Sequence, residues 1–427
     1  MIYIINFLIS INMKQQSLGH IDKCQICSSK NLQTILSFGH QPIVQSYLTP
    51  KQLHEPEATY SLNFCFCPRC GLAQLDYIID PRLVFPTNYP YRTGLTDMLV
   101  RNFRGLADVL EKRYRLSHPN LIVDIGCNDG TLLEGFKNKG LRVLGIEPTN
   151  AAKSARQKNI PVIQKYFNES VAREAVKKYG HAKIVTLTNA LAHIHNPSDI
   201  MRGIEVLLDK GGVFVSESQY LLDMMQCLEL DTIYHEHLRF YSLKPLKKLF
   251  SLTNFTLVDA ERISAAGGSI RVYAMKGKRT VNARIKDLID AEEKAGLYDV
   301  AALRQYAQKM INAKDKLMAL VIKCKQENVR IVGVGSPGRS NTLLNFVKIN
   351  KHLLDYTCEK TGSPKIGLLT PGTHIPIVDE KKLLRDQPEY ALVLSWHIGE
   401  ELMKKLRKLG YKGKFIMPLP EPKIIKK

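Results

Sequence analysis

The stretch from Leu121 to Phe136 constrains the fold most, because its pattern suits one kind of structural unit. Apolar residues lead into Asp124, and a turn marked by Gly126 and Gly130 then opens onto an apolar helical pattern. This pattern predicts a buried parallel strand, a tight turn and the start of a helix. The two glycines carry no Cβ, so a ligand can lie close to the backbone. A turn without a ligand is the alternative interpretation.

The next predicted strand, Arg142 to Ile146, ends at an acid, Glu147. An acid at the tip of the second strand suits the vicinal hydroxyls of a ribose, as in dinucleotide sites. The G-x-G-x-x-G pattern of those sites is missing, and Asp124 and Asp129 would repel a phosphate near the turn. The sequence therefore favours a nucleoside ligand without a pyrophosphate.

Strand and helix patterns alternate from Leu121 to about Met275, as a doubly wound parallel sheet requires. Ligands bind outside the carboxyl ends of such strands. Side chains that follow the third and fourth strands are therefore predicted to face a cofactor crevice, with the aromatic rings placed to cover an adenine. These residues are Tyr166, Phe167, Asn189, Ala190 and His193.

Two C-x-x-C pairs lie near the N-terminus, Cys24 with Cys27 and Cys67 with Cys70, and Cys65 is a spare thiol. Four such sulfurs make a closed tetrahedral site typical of structural Zn²⁺. A disulfide is the alternative, but the nine cysteines are bunched rather than evenly paired, which favours metal binding in a reducing cytoplasm. We predict that the zinc stabilises the fold and takes no part in chemistry, because no ligand position stays open.

The densest group of polar side chains is Tyr234-His235-Glu236-His237. A histidine exchanges a proton near neutral pH, and a neighbouring carboxylate can orient it and stabilise its cation. The two histidines cannot both be assumed to face one site, because the pattern does not define the local backbone. A metal site is disfavoured because the i, i+4 histidine spacing of H-E-x-x-H is missing; a satisfied loop is the other alternative.

A second strand–glycine turn–helix pattern runs from Arg330 to Asn341, after a long amphipathic helical pattern between Leu303 and Cys324. The turn carries Ser336 and Arg339 instead of acids, which suits a diphosphate at a helix N-terminus. We predict a second, smaller Rossmann-like domain here, with a ligand-free fold as the alternative. An earlier turn, Gly267-Gly268, either lets a substrate approach the backbone or closes a hairpin.

The 427 residues are too many for one ordinary domain. The apolar run from Ile2 to Ile11 is too short to span a bilayer and lacks the flanks of a signal peptide, and Met13 is an alternative start. No later stretch suggests a membrane helix. The bunched cysteines favour the cytoplasm, and we expect a monomer. The predicted parts are a disordered extension over residues 1–20, a zinc-binding domain over 21–95, a cofactor domain over 96–276 and a C-terminal Rossmann-like domain over 277–427.

The ordered series of motifs resembles the deoxysugar C-methyltransferase family, three-domain class I enzymes that act on nucleotide-linked ketosugars. The motifs are the two zinc knuckles, N-Y-P-Y, D-I-G-C-N-D-G, A-H-I, Y-H-E-H, G-G-S-I-R, the G-V-G turn and T-P-G-T-H-I-P. The resemblance implies S-adenosylmethionine and structural Zn²⁺ as cofactors and a nucleotide sugar as substrate. It implies no nucleic-acid partner.

Residue roles follow from the same resemblance. The family's Tyr-x-Glu-His falls on Tyr234, Glu236 and His237, and its loop histidine falls on His193. Its hinge tyrosine falls on Tyr89, with Tyr91 as the alternative; the residues alone also allow this segment to be a packed linker. The implied cofactor residues are Asp124, Gly126, Asn128, Asp129, Gly130, Glu147, Pro148, Tyr166, Phe167, Asn189 and Ala190. The implied substrate residues are Gly267, Gly268, Arg271, Ser336, Arg339 and His374.

The chemistry follows from these groups, because methylation of carbon needs a carbanion. His237, oriented by Glu236, is expected to remove a proton α to the ketone. His193, Tyr234 and Tyr89 are expected to donate hydrogen bonds to the developing oxyanion, after which the carbon attacks the sulfonium methyl in line.

Three departures from the family pattern lie in the C-terminal domain. Ser336-Pro337-Gly338-Arg339 replaces an Ala-rich turn with Lys, residues 359–365 differ from an Asp-Thr-Thr-Pro-type segment, and His397 replaces an Asn. O- or N-methylation of another sugar or of a surface-polysaccharide precursor is therefore an alternative. The net charge of +21 allows a second alternative, a zinc-bearing nucleic-acid-binding protein. Interleaved basic and aromatic residues on one face, which that alternative requires, are not evident in the sequence.

Overall fold

The structure, a computed structural model, describes residues 18–87 and 92–425. Most of the predicted extension over residues 1–20 and both hinge tyrosines, Tyr89 and Tyr91, lie outside the described residues. The chain folds into two compact units. The first unit contains residues up to Leu32, Cys67–Tyr220 and Leu238–Ala295, and the second contains Gln33–Phe66, Leu221–His237 and the chain from Gly296 onward.

The strands fall into three groups along the chain. The N-terminal strands are β1 Gly19–His20, β2 Gln33–Gln41, β3 Tyr60–Cys67, β4 Leu72–Leu75 and β5 Tyr77–Ile78. The middle strands are β6 Leu121–Ile125, β7 Arg142–Ile146, β8 Val162–Ile163, β9 Ala182–Thr188, β10 Leu208–Gln219, β11 Arg239–Phe240, β12 Phe255–Ile263 and β13 Ser269–Lys276. The C-terminal strands are β14 Ile331–Val334, β15 Thr357–Glu359, β16 Ile377–Asp379, β17 Tyr390–Val393, β18 Lys414–Met417 and β19 Lys423–Ile425.

The helices mostly connect these strands. Those that precede residue 295 are α1 Pro81–Val84, α2 Asp97–Tyr114, α3 Thr131–Lys137, α4 Ala151–Gln157, α5 Glu169–Tyr179, α6 Pro197–Leu207, α7 Leu221–Cys227, α8 Leu243–Ser251 and α9 Arg284–Lys294. Those that follow are α10 Val300–Gln326, α11 Gly338–Val347, α12 Glu380–Asp386 and α13 Gly399–Lys408. Among the described residues, no helix combines the length and the apolar character needed to cross a bilayer.

The first unit is organised by a seven-stranded sheet in the order β12-β13-β10-β9-β6-β7-β8. The five strands from β10 to β8 are parallel, and every residue of β6 is buried, with Ile122 in a core that contains Phe103 of α2 and Phe136 of α3. The predicted doubly wound α/β fold is therefore confirmed. Strands β12 and β13 are an antiparallel addition, because the short connection 264–268 cannot make a parallel crossover.

The second unit contains a six-stranded sheet in the order β16-β15-β14-β17-β18-β19, parallel except for β19. The predicted strand–turn–helix is β14, a turn at Gly335 and α11, which confirms the Rossmann-like pattern. The predicted amphipathic helix is α10, whose apolar stripe is buried. Strands β2 and β3 form an antiparallel pair in the same unit.

Candidate functional site

The structure brings the four predicted zinc cysteines together. The Sγ atoms of Cys24, Cys27, Cys67 and Cys70 lie within 4.8 Å of one another, and the pairs Cys24–Cys70 and Cys27–Cys67 are each 3.5 Å apart. A tetrahedral Zn²⁺ with Zn–S bonds near 2.3 Å requires sulfurs about 3.8 Å apart. The cluster therefore fits the ion. Cys65 is outside it, with its Sγ 3.7 Å from Thr34 Oγ1.

The acid at the end of β6 is fully enclosed. Asp124 is 2% exposed, and Thr186 Oγ1 donates a hydrogen bond of 2.7 Å to its Oδ1. Burial raises the pKa of Asp124 to about 7, with smaller contributions from the negative charges of Glu147 and Glu217. Asp124 thus anchors the strand tip to β9.

The turn after β6 needs left-handed backbone at three residues, Gly126 (φ 72°), Asn128 (φ 49°) and Gly130 (φ 76°). A Cβ at Gly130 would stand 2.6 Å from Ile160 Cδ1, so the turn closes tightly on the core. The Asn128 N–H donates to Glu147 Oε2 at 3.0 Å. The turn and the acid at the tip of β7 are therefore joined directly, which suits one ligand that contacts both.

Glu147 and Asp129 are both held by hydrogen bonds. Thr149 Oγ1 donates to Glu147 Oε1 at 2.6 Å, and Pro148 between them is partly buried. Asp129 accepts from Thr131 Oγ1 at 2.6 Å and from the Gly94 N–H at 2.8 Å. Asp129 therefore fastens the segment before α2 to the cofactor turn.

The tip of β9 forms the other side of the turn. Asn189 has left-handed backbone (φ 53°) and donates its N–H to the Glu217 carbonyl at 2.8 Å. The Ala190 methyl lies 3.4 Å from the place where a Cβ on Gly126 would stand. A side chain at position 126 would thus make an ordinary van der Waals contact with Ala190, and it is the left-handed φ of 72° that favours glycine.

The two predicted adenine-covering rings lie in different surroundings. Tyr166 is 49% exposed, and its hydroxyl donates to the Phe85 carbonyl at 3.1 Å. Phe167 is partly buried and packs against Gly203 of α6. His193 closes a 3-10 turn after β9, and its ring meets Phe85 edge-on at 5.5 Å. Phe85, which the sequence patterns did not single out, links Tyr166 and His193.

Arg271, predicted to bind substrate, is buried in an ion pair. Its Nε donates to Glu217 Oε1 at 2.6 Å and its Nη2 to Asn102 Oδ1 at 3.1 Å. Asn102 Nδ2 in turn donates to Glu217 Oε2 at 2.9 Å. The preceding Gly267 and Gly268 have φ of 93° and 131° and connect β12 to β13. The guanidinium thus ties β13, β10 and α2 together.

The segment Tyr234-His235-Glu236-His237 lies in the second unit, and its two histidines differ in their surroundings. His235 is 2% exposed and its Nε2 donates to the Ser61 carbonyl at 3.2 Å; burial lowers its pKa to about 4. His237 Nδ1 donates to the Thr232 carbonyl at 2.7 Å, and its ring lies 4.1 Å from that of Tyr234. Glu236 is 4% exposed. His235 is therefore a neutral, structural residue, and His237 is the remaining candidate base.

Arg339, predicted to face a diphosphate, binds carboxylates instead. Its Nε and Nη2 donate to the two oxygens of Asp231 at 2.8 and 2.7 Å, and Nη2 also contacts Glu229 at 3.2 Å. Trp396 Nε1 donates to the same Asp231 at 2.9 Å. Burial alone would lower the pKa of Arg339, but the two carboxylates raise it above its usual value.

The cation that contacts the turn after β14 is Lys365, not Arg339. Lys365 Nζ donates to the Ser336 carbonyl at 2.7 Å, and the Tyr47 hydroxyl donates to the same oxygen at 3.0 Å. Burial alone would lower the pKa of Lys365, but Tyr47, Glu359 and Glu236 raise it. Sequence patterns missed Lys365 and Tyr47, because only the fold brings them to this turn.

His374, the last predicted substrate residue, lies 2.9 Å from a carboxylate of the same unit, from its Nε2 to Glu57 Oε2. Glu57 also accepts the Gly372 N–H at 2.7 Å. The T-P-G-T-H-I-P loop is thus pinned to the segment before β3.

Around the start of α11, within the described chain, several buried side-chain atoms have no hydrogen-bond partner. They are Gln45 Oε1, Ser336 Oγ, Asn341 Oδ1, Thr342 Oγ1 and His397 Nδ1. Buried polar atoms are normally satisfied, so these atoms are suited to hydrogen bonds with a polar ligand or a water.

Three family profiles match the chain in series. They describe a putative zinc binding domain over residues 24–85, a methyltransferase domain over 98–260 and a C-methyltransferase C-terminal domain over 264–420. The last of these profiles is that of a C-methyltransferase, and together the three span residues 24–420 with short gaps. It is 28% identical to the C-methyltransferase NovU of Streptomyces niveus over 409 residues, which is 95% of this chain and 97% of the relative. The protein is an S-adenosylmethionine-dependent C-methyltransferase with a zinc-binding domain.

More distant matches each cover less than half of this chain. The ubiquinone biosynthesis O-methyltransferase of Escherichia coli is 34% identical over 22% of this chain and 41% of that protein. An Anabaena variabilis S-adenosylmethionine-dependent methyltransferase is 15% identical, with a TM-score of 0.32, over 40% of this methyltransferase and 84% of that chain. Magnesium protoporphyrin IX methyltransferase of Synechocystis is 15% identical, with a TM-score of 0.33, over 42% and 81%.

Proposed function

We propose that the enzyme methylates the carbon next to the carbonyl group of a nucleotide-linked ketosugar, with His237 as the base. The observation that carries this is the bond between His237 Nδ1 and the Thr232 carbonyl. A carbonyl oxygen only accepts, so Nδ1 carries the hydrogen and Nε2 of the neutral ring has the lone pair. A base of this kind is what removal of a proton from carbon requires.

The steps follow from the groups in the chain. His237 Nε2 takes the proton α to the ketone, and the electrons of the C–H bond form an enolate. Tyr234, His193 and Tyr89, or Tyr91 in its place, donate hydrogen bonds to the developing oxyanion. When bound, S-adenosylmethionine supplies a methyl on a sulfonium, which the enolate carbon attacks as the C–S bond breaks. The cofactor turn, Asp124 to Gly130, and Glu147 hold the nucleoside part.

A nucleotide on the substrate is supported by the turn after β14. The unpartnered atoms at the start of α11 suit a polar group, and a helix N-terminus favours an anion. We assign the diphosphate to the Ser336 turn with Lys365 as its cation. We retain Gly267 and Gly268 as close-approach positions, and we give Arg271, Arg339 and His374 positioning roles because carboxylates hold them.

We also propose that the enzyme is cytoplasmic, since zinc thiolates stay reduced there, and that it is a monomer. We retain the zinc-binding, cofactor and C-terminal domains with the boundaries predicted from the sequence.

The test is incubation with S-adenosylmethionine carrying a ¹³C methyl and a panel of dTDP-, GDP- and UDP-ketosugars. We expect NMR to show a methyl group bonded to carbon with at least one sugar. The product should be lost with His237→Gln and kept with His352→Gln, a change at an exposed histidine of the same unit. A methyl on oxygen or nitrogen, or full activity of His237→Gln, would overturn the proposal.

A further inference from the structure

We infer that Arg339 is a positioning residue that sets which nitrogen of His237 carries the proton. The connection runs from α11 through the Arg339–Asp231 ion pair to the 3-10 turn Leu230–Thr232, and from the Thr232 carbonyl to the His237 ring. The inference rests on the proposed function only for the role of His237 as base.

The Arg339–Asp231 contact fixes the orientation of the carboxylate as well as neutralising its charge. Both oxygens of Asp231 accept from the guanidinium, and Trp396 Nε1 donates to Oδ2 as well. The guanidinium carbon lies 5.3 Å from the Trp396 ring centre. Asp231 is 0% exposed, so the pair is desolvated and its planar fork fixes the direction of the carboxylate.

The turn that carries Asp231 also carries Thr232, the next residue, so the position of the Asp231 carboxylate determines that of Thr232. Thr232 is 2% exposed, its N–H donates to the Glu229 carbonyl at 3.2 Å, and its Oγ1 donates to the same oxygen at 2.8 Å. Arg339 Nη2 contacts the Glu229 carboxylate at 3.2 Å. The same guanidinium therefore holds the turn at Glu229, the residue before it, and at Asp231 in its middle. We infer that these contacts fix the direction of the Thr232 carbonyl.

The Thr232 carbonyl then decides the chemistry of His237. At 2.7 Å it requires a hydrogen on Nδ1, so the neutral ring presents Nε2 as the proton acceptor. If Arg339 is removed, Asp231 becomes a buried carboxylate without its cation, and the turn must move to rehydrate it. The carbonyl would then no longer define the tautomer of His237.

The same contacts account for Arg339 in this turn, where the family that the sequence resembles has a lysine. A residue in the glycine turn that is engaged by Asp231 and Glu229 is not available to a diphosphate. The cation for the Ser336 turn is then supplied from another segment by Lys365, which donates to the Ser336 carbonyl at 2.7 Å.

The test uses the full-length enzyme without substrate, labelled with ¹⁵N in histidine, and assigns His237 by comparison with His237→Gln. In the wild type we expect one tautomer, protonated at Nδ1. In Arg339→Met we expect averaged nitrogen signals and, in a separate methyl-transfer assay with substrate, at least a tenfold loss of kcat. Arg339→Lys, which keeps the charge without the planar fork, should restore folding and part of the tautomer preference. Arg330→Gln removes an arginine that pairs with Asp355 and Asp386 in the same unit, and it should change neither signal.

The inference is overturned if Arg339→Met folds and keeps the wild-type spectrum with its full tautomer preference. If the methionine variant does not fold, the same result with folded Arg339→Lys overturns it. An equal change in Arg330→Gln would also overturn it, as would a wild-type ring protonated at Nε2. Because these spectra need no substrate, they separate this inference from the proposed function, which fails if wild-type enzyme transfers no methyl to carbon.

Discussion

Replacing His235 by glutamine should remove a defined part of the acid sensitivity of the second unit. The ring of His235 is buried, its Nε2 donates to the Ser61 carbonyl, and its Nδ1 is buried without a partner. Protonation would place a charged N–H at Nδ1, and burial accordingly lowers the pKa to about 4. Glutamine cannot titrate, and its amide can still donate to Ser61.

The sign and size follow from linkage. The unfolded chain takes up this proton below about pH 6.5, whereas the folded chain takes it up only near pH 4, so stability is lost as the pH falls through this window. Between pH 7.5 and pH 5 the difference amounts to about 2 kcal/mol, or about 30-fold in the unfolding equilibrium.

The assay is urea unfolding at several pH values, followed by the fluorescence of Trp396. This is the only tryptophan of the sequence, and it lies in the second unit. We expect the wild type to lose about 2 kcal/mol more than His235→Gln between pH 7.5 and pH 5. Other titrating groups are common to both proteins and cancel. His54→Gln, at an exposed position, should behave as wild type. Equal pH dependence of wild type and His235→Gln would refute the reasoning.

Three further predictions test the zinc cluster and the cofactor turn. Cys67→Ser should lose the bound zinc and the N-terminal fold, as measured by elemental analysis and hydrogen exchange, whereas Cys65→Ser should keep the metal because its sulfur is outside the cluster. Gly130→Ala should cost about 1–3 kcal/mol and weaken cofactor binding in calorimetry. Gly140→Ala has a similar φ but nothing within 4 Å of the new Cβ, so it should cost less; equal losses would argue against the contact with Ile160. In the wild type, the free energy of unfolding should fall by up to about 4 kcal/mol as pH rises from about 4 to about 7, because the unfolded chain releases the Asp124 proton first. Asp124→Asn should remove this loss. Hydrogen exchange of β6 would measure it, and an unchanged pH dependence would contradict the raised pKa.

Local patterns were sufficient to predict most of the fold. The apolar run that enters Asp124, the glycines after it and the acid about twenty residues later are features of a strand, a turn and a strand tip, and each depends on neighbours in sequence. The cysteine spacing was equally informative, because a knuckle is a local structure. The antiparallel pair β12 and β13 was evident only as one of two interpretations, a hairpin closed by Gly267 and Gly268, since a strand pattern does not give the direction of its partner.

The side-chain partners in the site depend on distant residues, and periodicity carries no information about them. Arg339 meets Asp231 across 108 positions, and His235 meets Ser61 across 174. From the sequence, the charge of Arg339 favoured a diphosphate, and only the family resemblance favoured His237 over His235 as the base. Only their carboxylate and carbonyl partners distinguish a positioning arginine from a ligand, and a buried histidine from a candidate base.

The measurement that tests the central claim most directly is exchange of the substrate proton in D₂O. A ketosugar that the enzyme methylates is incubated with the enzyme and S-adenosylhomocysteine, so that no methyl can be transferred, and deuterium is followed at the carbon α to the ketone. We predict that wild-type enzyme and His352→Gln incorporate deuterium at that carbon and that His237→Gln does not. Incorporation by His237→Gln at the wild-type rate would contradict the assignment of His237 as the base.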